Sequence, residues 1–451
     1  MFRFVIRRFL WTLLVMFAVS LITFMLMNAI PGGPFDSVGE RPLDPNIVKN
    51  IEAKYGLDDP LWFRYVNYVG GVAVPNFTYG EFSYGLTLDR EDAGLERIED
   101  ENGDAVKLAF PRRVMMPYQV TSVIEDYLIN IPVPFLRGNV PANLRDKGSN
   151  GGEVIQEVPT ATELTALKLN NNQDYVQVKT ADGVQGWISV DRVRLASATF
   201  DEANPTTATI IGAPATLRWM NFGPSYESRS QSVNDYFRDQ LPVSAQLGLA
   251  SILVAVVIGV PLGILAGINR NTNIDYLAMS VAILGVSVPV IILGPVLQVV
   301  AISVPWLPIT GWGEFKHFIL PSFALGFAES ALIARLTRAS LLQVLNEDYI
   351  RTARAKGLAE RVVILVHAMR NALIPVITVL GPLLAALVTG SFVTERIFQI
   401  PGLGDNFITS VTNRDYPMIM GTILLYAFFL VLANMFVDIV YALLDPRIRY
   451  D

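Results

Sequence analysis

Long apolar runs alternate along this chain with short basic connections, except between the first run and the second, where residues 31–240 are mixed in character. A helix that crosses the hydrocarbon of a bilayer needs roughly 20 apolar residues. "FLWTLLVMFAVSLITFMLMNAI" (residues 9–30) has that length and follows Arg3, Arg7 and Arg8. A cleaved leader has an apolar core of about 7–15 residues ending at small side chains. This run is longer and ends in "NAIPGG", so a retained first helix is expected. Further spans are expected at residues 243–268, 274–302, about 318–334, 372–392 and 418–444, which makes six. Pro261, Pro289, Pro295 and Pro382 fall inside them, as kinked membrane helices tolerate.

Composition supports a membrane protein: 52% of the 451 residues are hydrophobic and 17% are charged. Cysteine is absent, which excludes disulfides and thiolate chemistry, and His317 and His367 are too far apart in sequence to suggest a metal site. The net charge of −6 divides unevenly: residues 31–241 hold 29 acidic against 19 basic side chains, and the remainder 12 against 16. Lysine and arginine mark the cytoplasmic side of short loops. With six spans, the N-terminus, Arg270, the 335–370 loop and Arg447 and Arg449 share one side, so both termini are expected in the cytoplasm of a prokaryotic cell and the acidic block outside it.

That block is too long for a simple connection. "VKNIEAKYGLDDPLWFRYVNYVGG" reads as a helix, a turn at Asp58-Asp59-Pro60 and a second helix. Further on, "DYVQVKTADGVQGWISVDRVRL" (residues 174–195) alternates in period two around Asp182-Gly183, a hairpin signal. Residues 138–196 resemble a bacterial SH3-like small β-barrel, which implies Trp187 in its core, with a spacer, docking or wall-binding role.

Between the fourth and fifth runs lies "SLLQVLNEDYIRTARAKGLAERVVILVHAMRNALIP" (residues 340–375). Leu341, Leu345 and Tyr349 recur every four residues, an amphipathic helix pattern beginning at Ser340. Arg351 and Arg354 are helix-surface neighbours, and Gly357 suits a helix C′ position because glycine takes the left-handed conformation without strain. A second helix restarts near Glu360. The expected product is a bent, basic knuckle able to seat in a partner's groove, or simply to face anionic lipid.

"DYIRTARAKGL" followed by "HAMRNALIP" resembles the coupling loop of the oligopeptide/dipeptide family of ABC-importer permeases. "MFRFVIRRFL", "NAIPGGPFD", "NFGPSY", "VNDYFRDQLPVSAQLG", "IGVPLGILAG", "VTERIFQIPGLGDNFITSVTNRDYPMIMG" and "LLDPRIRY" resemble further family segments. The general importer signature carries Glu-Ala-Ala, three residues and Gly. Here those positions are Arg351, Thr352, Ala353 and Gly357, so the glutamate is missing, and His367 to Arg370 replace the usual Ile-x-Leu-Pro, as in the peptide branch.

The resemblance implies an all-α membrane protein of six transmembrane helices, with the small SH3-like barrel inserted in the first outside loop. Its parts would be residues 1–80, an insertion over 81–217, and 218–451 with the coupling loop at about 335–371. It implies a non-catalytic subunit of a peptide importer, paired with a sister permease, two ATPase subunits and an extracytoplasmic solute-binding protein, and no nucleic acid. Asp348, Tyr349, Arg351, Thr352, Ala353, Arg354, Ala355, Lys356, Gly357 and Leu358 would meet the ATPase. The sequence has no G-x-x-x-x-G-K-[S/T], so this chain is expected to bind no cofactor, with ATP and Mg on the partners.

Glu329, in the fourth run, is expected either to face the pathway or to pair with Arg335 or Arg338. Asn434 and Asp438 suit helix-to-helix bonding. Glu395, Arg396 and Asp405 surround "IPGLG", where Pro401, Gly402 and Gly404 are candidates for a gate. Two other classes compete. An ion-coupled secondary transporter predicts internal repeats and several midplane charges, and a membrane-anchored receptor using the insert predicts a large cytoplasmic domain.

Overall fold

The computed structural model describes residues 2–29, 34–35, 48, 52, 55–79, 82–84, 97–99, 105–108, 127–149, 152–197, 199–228 and 231–444. The chain divides into two compact units, residues 1–52 with 224–451, and residues 53–223.

The first unit is helical. Its helices are α1 (Phe2–Ala29), α3 (Val233–Ile268), α4 (Asn273–Ser287), α5 (Val290–Ile302), α6 (Lys316–Val344) and α7 (Asp348–Ala355), numbered with α2 (Leu61–Ala73) of the other unit. There follow α8 (Glu360–Val362), a π-helical stretch Val363–Ala368, α9 (Met369–Ala372), α10 (Ile374–Val388), α11 (Phe392–Phe398), α12 (Leu403–Asn413) and α13 (Tyr416–Leu444). Among the described residues, four helices are long and apolar enough to span a membrane unaided, and the number rises to six if each of two bent pairs is one span.

The third expected span, residues 274–302, is not one helix: α4 and α5 meet at 103°. Val288, before Pro289, is extended at φ −98 ψ 109, because a proline's ring pushes the preceding residue out of the helical region. At about 1.5 Å per residue neither half reaches the ~30 Å of a bilayer core. The fifth span is likewise bent, by 50° between Glu360–Ala372 and Ile374–Val388.

α3 begins with a capping box, in which Asp235 N donates to Ser232 Oγ and Ser232 N to Asp235 Oδ2. It then lays a small-residue stripe, Gly248, Ser251, Ala255, Gly259 and Gly263, against its neighbours. Lipid gives no hydrophobic drive between helices, so close backbone approach supplies the attraction. A Cβ on Gly259 would lie 2.7 Å from Ser330 O, and one on Gly263 would lie 2.5 Å from Thr337 Cβ, so α3 and α6 pack almost backbone to backbone. Asp275 of α4 takes a bidentate pair from Arg338 of α6, both bonds 2.7 Å. Arg8 of α1 lies 2.8 Å from Asp438 of α13, which fixes the first helix to the last.

Among the described residues, the second unit holds α2 and thirteen strands. In chain order these are β1 (Asn76–Tyr79), β2 (Phe82–Tyr84), β3 (Arg97–Glu99), β4 (Ala105–Leu108), β5 (Ile129–Gly138), β6 (Ala142–Arg145) and β7 (Val154–Val158). They continue as β8 (Glu163–Leu169), β9 (Tyr175–Lys179), β10 (Gln185–Ser189), β11 (Val193–Leu195), β12 (Thr206–Ile210) and β13 (Ala213–Trp219). Asp58 and Asp59 form the expected turn before α2, while the helix expected ahead of it lies mostly outside the described residues.

One sheet has the order β2-β1-β13-β5, another β11-β12-β8-β9-β10-β6-β7, and β3 pairs with β4. The expected hairpin is β9–β10, Val178 opposite Gly186 and Gln177 opposite Trp187. The seven-stranded sheet folds over one core containing Leu144, Leu164, Val176, Ile188 and Ile210. It is not the closed barrel expected from the sequence: β7 and β11 remain edges, and β12, beyond residue 196, is part of it. Trp187 also departs from expectation. Gly186 and Ile188 are buried while Trp187 is half-buried, because successive strand residues point to opposite faces.

Candidate functional site

The knuckle is built from the bundle outward. The pattern from Ser340 predicts one helix, but two form: α6 ends at Val344 and α7 starts at Asp348. Asn346 Nδ2 donates to Leu342 O at 2.8 Å, and Glu347 is extended at φ −70 ψ 147. Asparagine's side chain competes with the helical ladder in this way. The break turns α7 so that Ile350 and Ala353 are buried with Leu341 and Val344 of α6 and Val363, Ile364, Ala368 and Met369 of the following segment. Val260 and Ile264 of α3 complete the cluster.

Opposite that apolar face, Asp348, Arg351, Thr352, Arg354, Ala355, Lys356 and Leu358 are exposed. α7 stops in a Schellman motif, with Gly357 N donating to Arg354 O at 2.9 Å and Leu358 N to Ala353 O at 3.4 Å. Gly357 has φ +75, and nothing lies within 4 Å of where its Cβ would be, so its requirement is conformational rather than spatial. Arg354 closes the bend through Glu360, with Nη2 2.6 Å from Oε1 and Nε 3.2 Å from Oε2. That contact holds the Arg354 guanidinium above its ordinary value. Arg351 reaches Asp348 at 3.3 Å, Thr352 Oγ1 donates to Asp348 O at 3.0 Å, and Asn371 Nδ2 donates to Tyr349 Oη at 2.7 Å. Exposed ion pairs of this kind contribute about 0–1 kcal/mol, so they shape the knuckle more than they stabilise it.

A second cluster lies about Pro401, Gly402 and Gly404. Glu395 of α11 is 1% exposed. Ser244 Oγ donates to its Oε1 at 2.8 Å, Ser391 N to Oε1 at 3.1 Å and Gly404 N to Oε2 at 2.8 Å. Leu403 N donates in turn to Ser244 Oγ at 2.8 Å. Burial pushes the Glu395 carboxyl up from the usual carboxylate range, and the donors offset this only in part. Pro401 is exposed, whereas Gly402 and Gly404 are buried against Glu395. Arg396 turns away to Asp405 at 3.1 Å.

Glu329 is half-buried on α6, and no charged or hydrogen-bonding partner meets it among the described residues. The alternative pair with Arg335 or Arg338 does not form among the described residues: no contact joins Glu329 to Arg335, and Arg338 is committed to Asp275. Sequence reasoning missed three participants: Asp275, Ser244, and Glu360 as the partner of Arg354. Among them only Asp275, an acid just inside an apolar run, carries a signal of its own.

No cluster of three or more potential metal ligands occurs among the described residues. Apolar helices, two of the spans broken, with a basic helix–turn–helix exposed beside them, mark an integral membrane protein. Residues 259–450 match the binding-protein-dependent transport system inner membrane component, and residues 1–84 match the N-terminal part of the membrane component of such systems. The dipeptide transport system permease protein DppB of Bacillus subtilis strain 168 is 50% identical over 230 residues, 51% of this chain and 75% of that one. The oligopeptide transport system permease protein OppB of Escherichia coli K12 is 44% identical over 233 residues, 51% of this chain and 76% of its own. A solved methionine ABC transporter, MetNI, overlaps 48% of this chain and 99% of that one, with 19% identity and a TM-score of 0.41. The chain belongs to the binding-protein-dependent transport system inner membrane component family.

Proposed function

We propose that this chain forms half of the translocation pathway of an ATP-driven importer of short peptides. The observation that carries the proposal is the knuckle: a basic helix fixed to the bundle by Ile350 and Ala353 and ended at Gly357 by a Schellman turn. It offers a rigid, charged projection to a separate subunit. Residues 348–358 would seat in a cleft of an ATPase that binds ATP and Mg, with a second ATPase on a sister permease. A solute-binding protein would deliver peptide from outside, both termini would be cytoplasmic, and residues 81–217 would be an extracytoplasmic insertion. The permeases named above for dipeptides and oligopeptides support the substrate class. Glu329 would line the pathway, since a carboxylate without a partner is costly against lipid.

The test is to reconstitute the purified chain with its co-purifying subunits and follow labelled dipeptide uptake with and without ATP. Uptake that needs ATP and two ATPase subunits supports the proposal. Uptake by the chain alone, driven by an ion gradient, overturns it.

A further inference from the structure

Glu395 has a feature that a mere helix cap would not need. It is a buried carboxylate with no cation on it among the described residues: the adjacent Arg396 is paired with Asp405, and no other charge reaches it. Burying an ion without a counter-charge is expensive unless donors surround it. Here the donors come from three separate places: Ser244 in α3, Ser391 ahead of α11, and Gly404 in the first turn of α12. Ser244 also accepts from Leu403 N, so the carboxylate and hydroxyl together satisfy two of the amides that a helix start leaves without internal partners.

The fit has no slack. A Cβ on Gly402 would lie 2.4 Å from Glu395 Cδ, one on Gly404 2.9 Å from Oε2 and one on Gly390 3.0 Å from Oε1. Further polar links run along α12 toward the start of α3: Asn406 Nδ2 donates to Gln240 Oε1, and Asn413 Nδ2 to Glu227 Oε1 at 2.9 Å. α3 therefore holds α11–α12 at Ser244, and sixteen to twenty residues further on it packs, through Val260 and Ile264, into the cluster under the knuckle. At about 1.5 Å per residue those attachments are roughly 24–30 Å apart along one helix.

We propose that Glu395 is a positioning residue for transport: with Ser244 it latches the α11–α12 plug to α3, so that movement of the knuckle at one end of α3 carries the plug at the other. The proposal rests on the importer reading. It assigns Glu395 and Ser244 to coupling, not to contact with the transported molecule.

The test uses the whole transporter in lipid, with two readouts. One is uptake of tritium-labelled dialanine per ATP hydrolysed. The other is hydrogen exchange of the 402–406 amides, which reads the latch whatever the transporter carries. Glu395→Gln keeps the size but sets an amide donor against the Ser391 or Gly404 N–H, and Ser244→Ala removes the link to α3 with little change in volume. Each variant is expected to assemble and hydrolyse ATP, to exchange those amides about tenfold faster, and to lose about tenfold in uptake per ATP. Because both act on one hydrogen-bonded network, the double variant should cost less than the sum of the two single effects. Unchanged exchange and uptake would overturn the latch. Faster exchange with normal uptake per ATP would overturn its role in coupling, as would a loss that merely tracks the amount of folded complex. If Glu395→Gln does not fold, Ser244→Ala is read by the same criteria. Wild-type transporter that ignores dialanine and every other dipeptide would count against the peptide reading, while the exchange result would still decide the latch.

Discussion

Replacing Gly357 with alanine isolates one physical variable. The residue sits at φ +75 with open space where a Cβ would go, so the added methyl meets no atom and only the backbone pays. The left-handed conformation costs a non-glycine residue about 1–2 kcal/mol, and each 1.4 kcal/mol is about tenfold in an equilibrium. If the knuckle in its present shape is what an ATPase subunit grips, Gly357→Ala should weaken that association by about 5- to 30-fold at most, reaching the upper figure only if another loop conformer takes over. Gly357→Asn should cost less, since asparagine visits this region more readily. Gly357→Pro should cost more than either, because it forbids the positive φ and deletes the N–H that donates to Arg354 O. The assay is a fluorescence titration of the lipid-embedded permease with its labelled ATPase subunits, with peptide uptake measured alongside. An alanine variant that binds like wild type would refute the conformational argument. One as damaged as the proline variant would show that volume, not φ, controls the site.

Four other outcomes follow from the same geometry. Asp275→Ala leaves Arg338, whose side chain is 28% exposed, without its partner. The loss should be about 3 kcal/mol in thermal unfolding, the low end for a broken buried pair, and a loss under about 0.5 kcal/mol would count against the pair. Gly263→Val forces a Cβ to 2.5 Å from Thr337 Cβ, so α3 and α6 must separate. The cost is about 1–3 kcal/mol or more, read as a smaller monodisperse fraction on gel filtration, and an unchanged fraction contradicts the close packing. Burial raises Glu395 above the ordinary carboxylate value of about 4.3, so its favourable contribution is full below that value and is lost as pH rises through the folded one. Resistance of the plug to proteolysis should fall accordingly in wild type and stay flat in Glu395→Gln; a wild-type slope of the opposite sign refutes the burial argument. Glu329→Gln should slow peptide uptake while leaving ATPase binding intact, and a wild-type uptake rate would remove Glu329 from the pathway.

Local pattern was enough to read the apolar runs, their lengths, the acidic intervening block, the β9–β10 hairpin and the glycine that ends α7. Each follows from interactions among residues a few positions apart, with hydropathy, turn chemistry and helix-end stereochemistry as causes. Only the tertiary structure decided which long-range partners those elements take. Arg338 chose Asp275 over Glu329, Glu395 found Ser244 151 residues away, and α4 and α5 turned through 103° where the apolar count and its prolines indicated one kinked span. The seven-stranded sheet stayed open because β12 entered it and its edges did not meet. Period and composition fix what a segment can bury, but a buried charge is satisfied by whichever donors packing brings within about 3 Å, and that distance is a property of the folded whole.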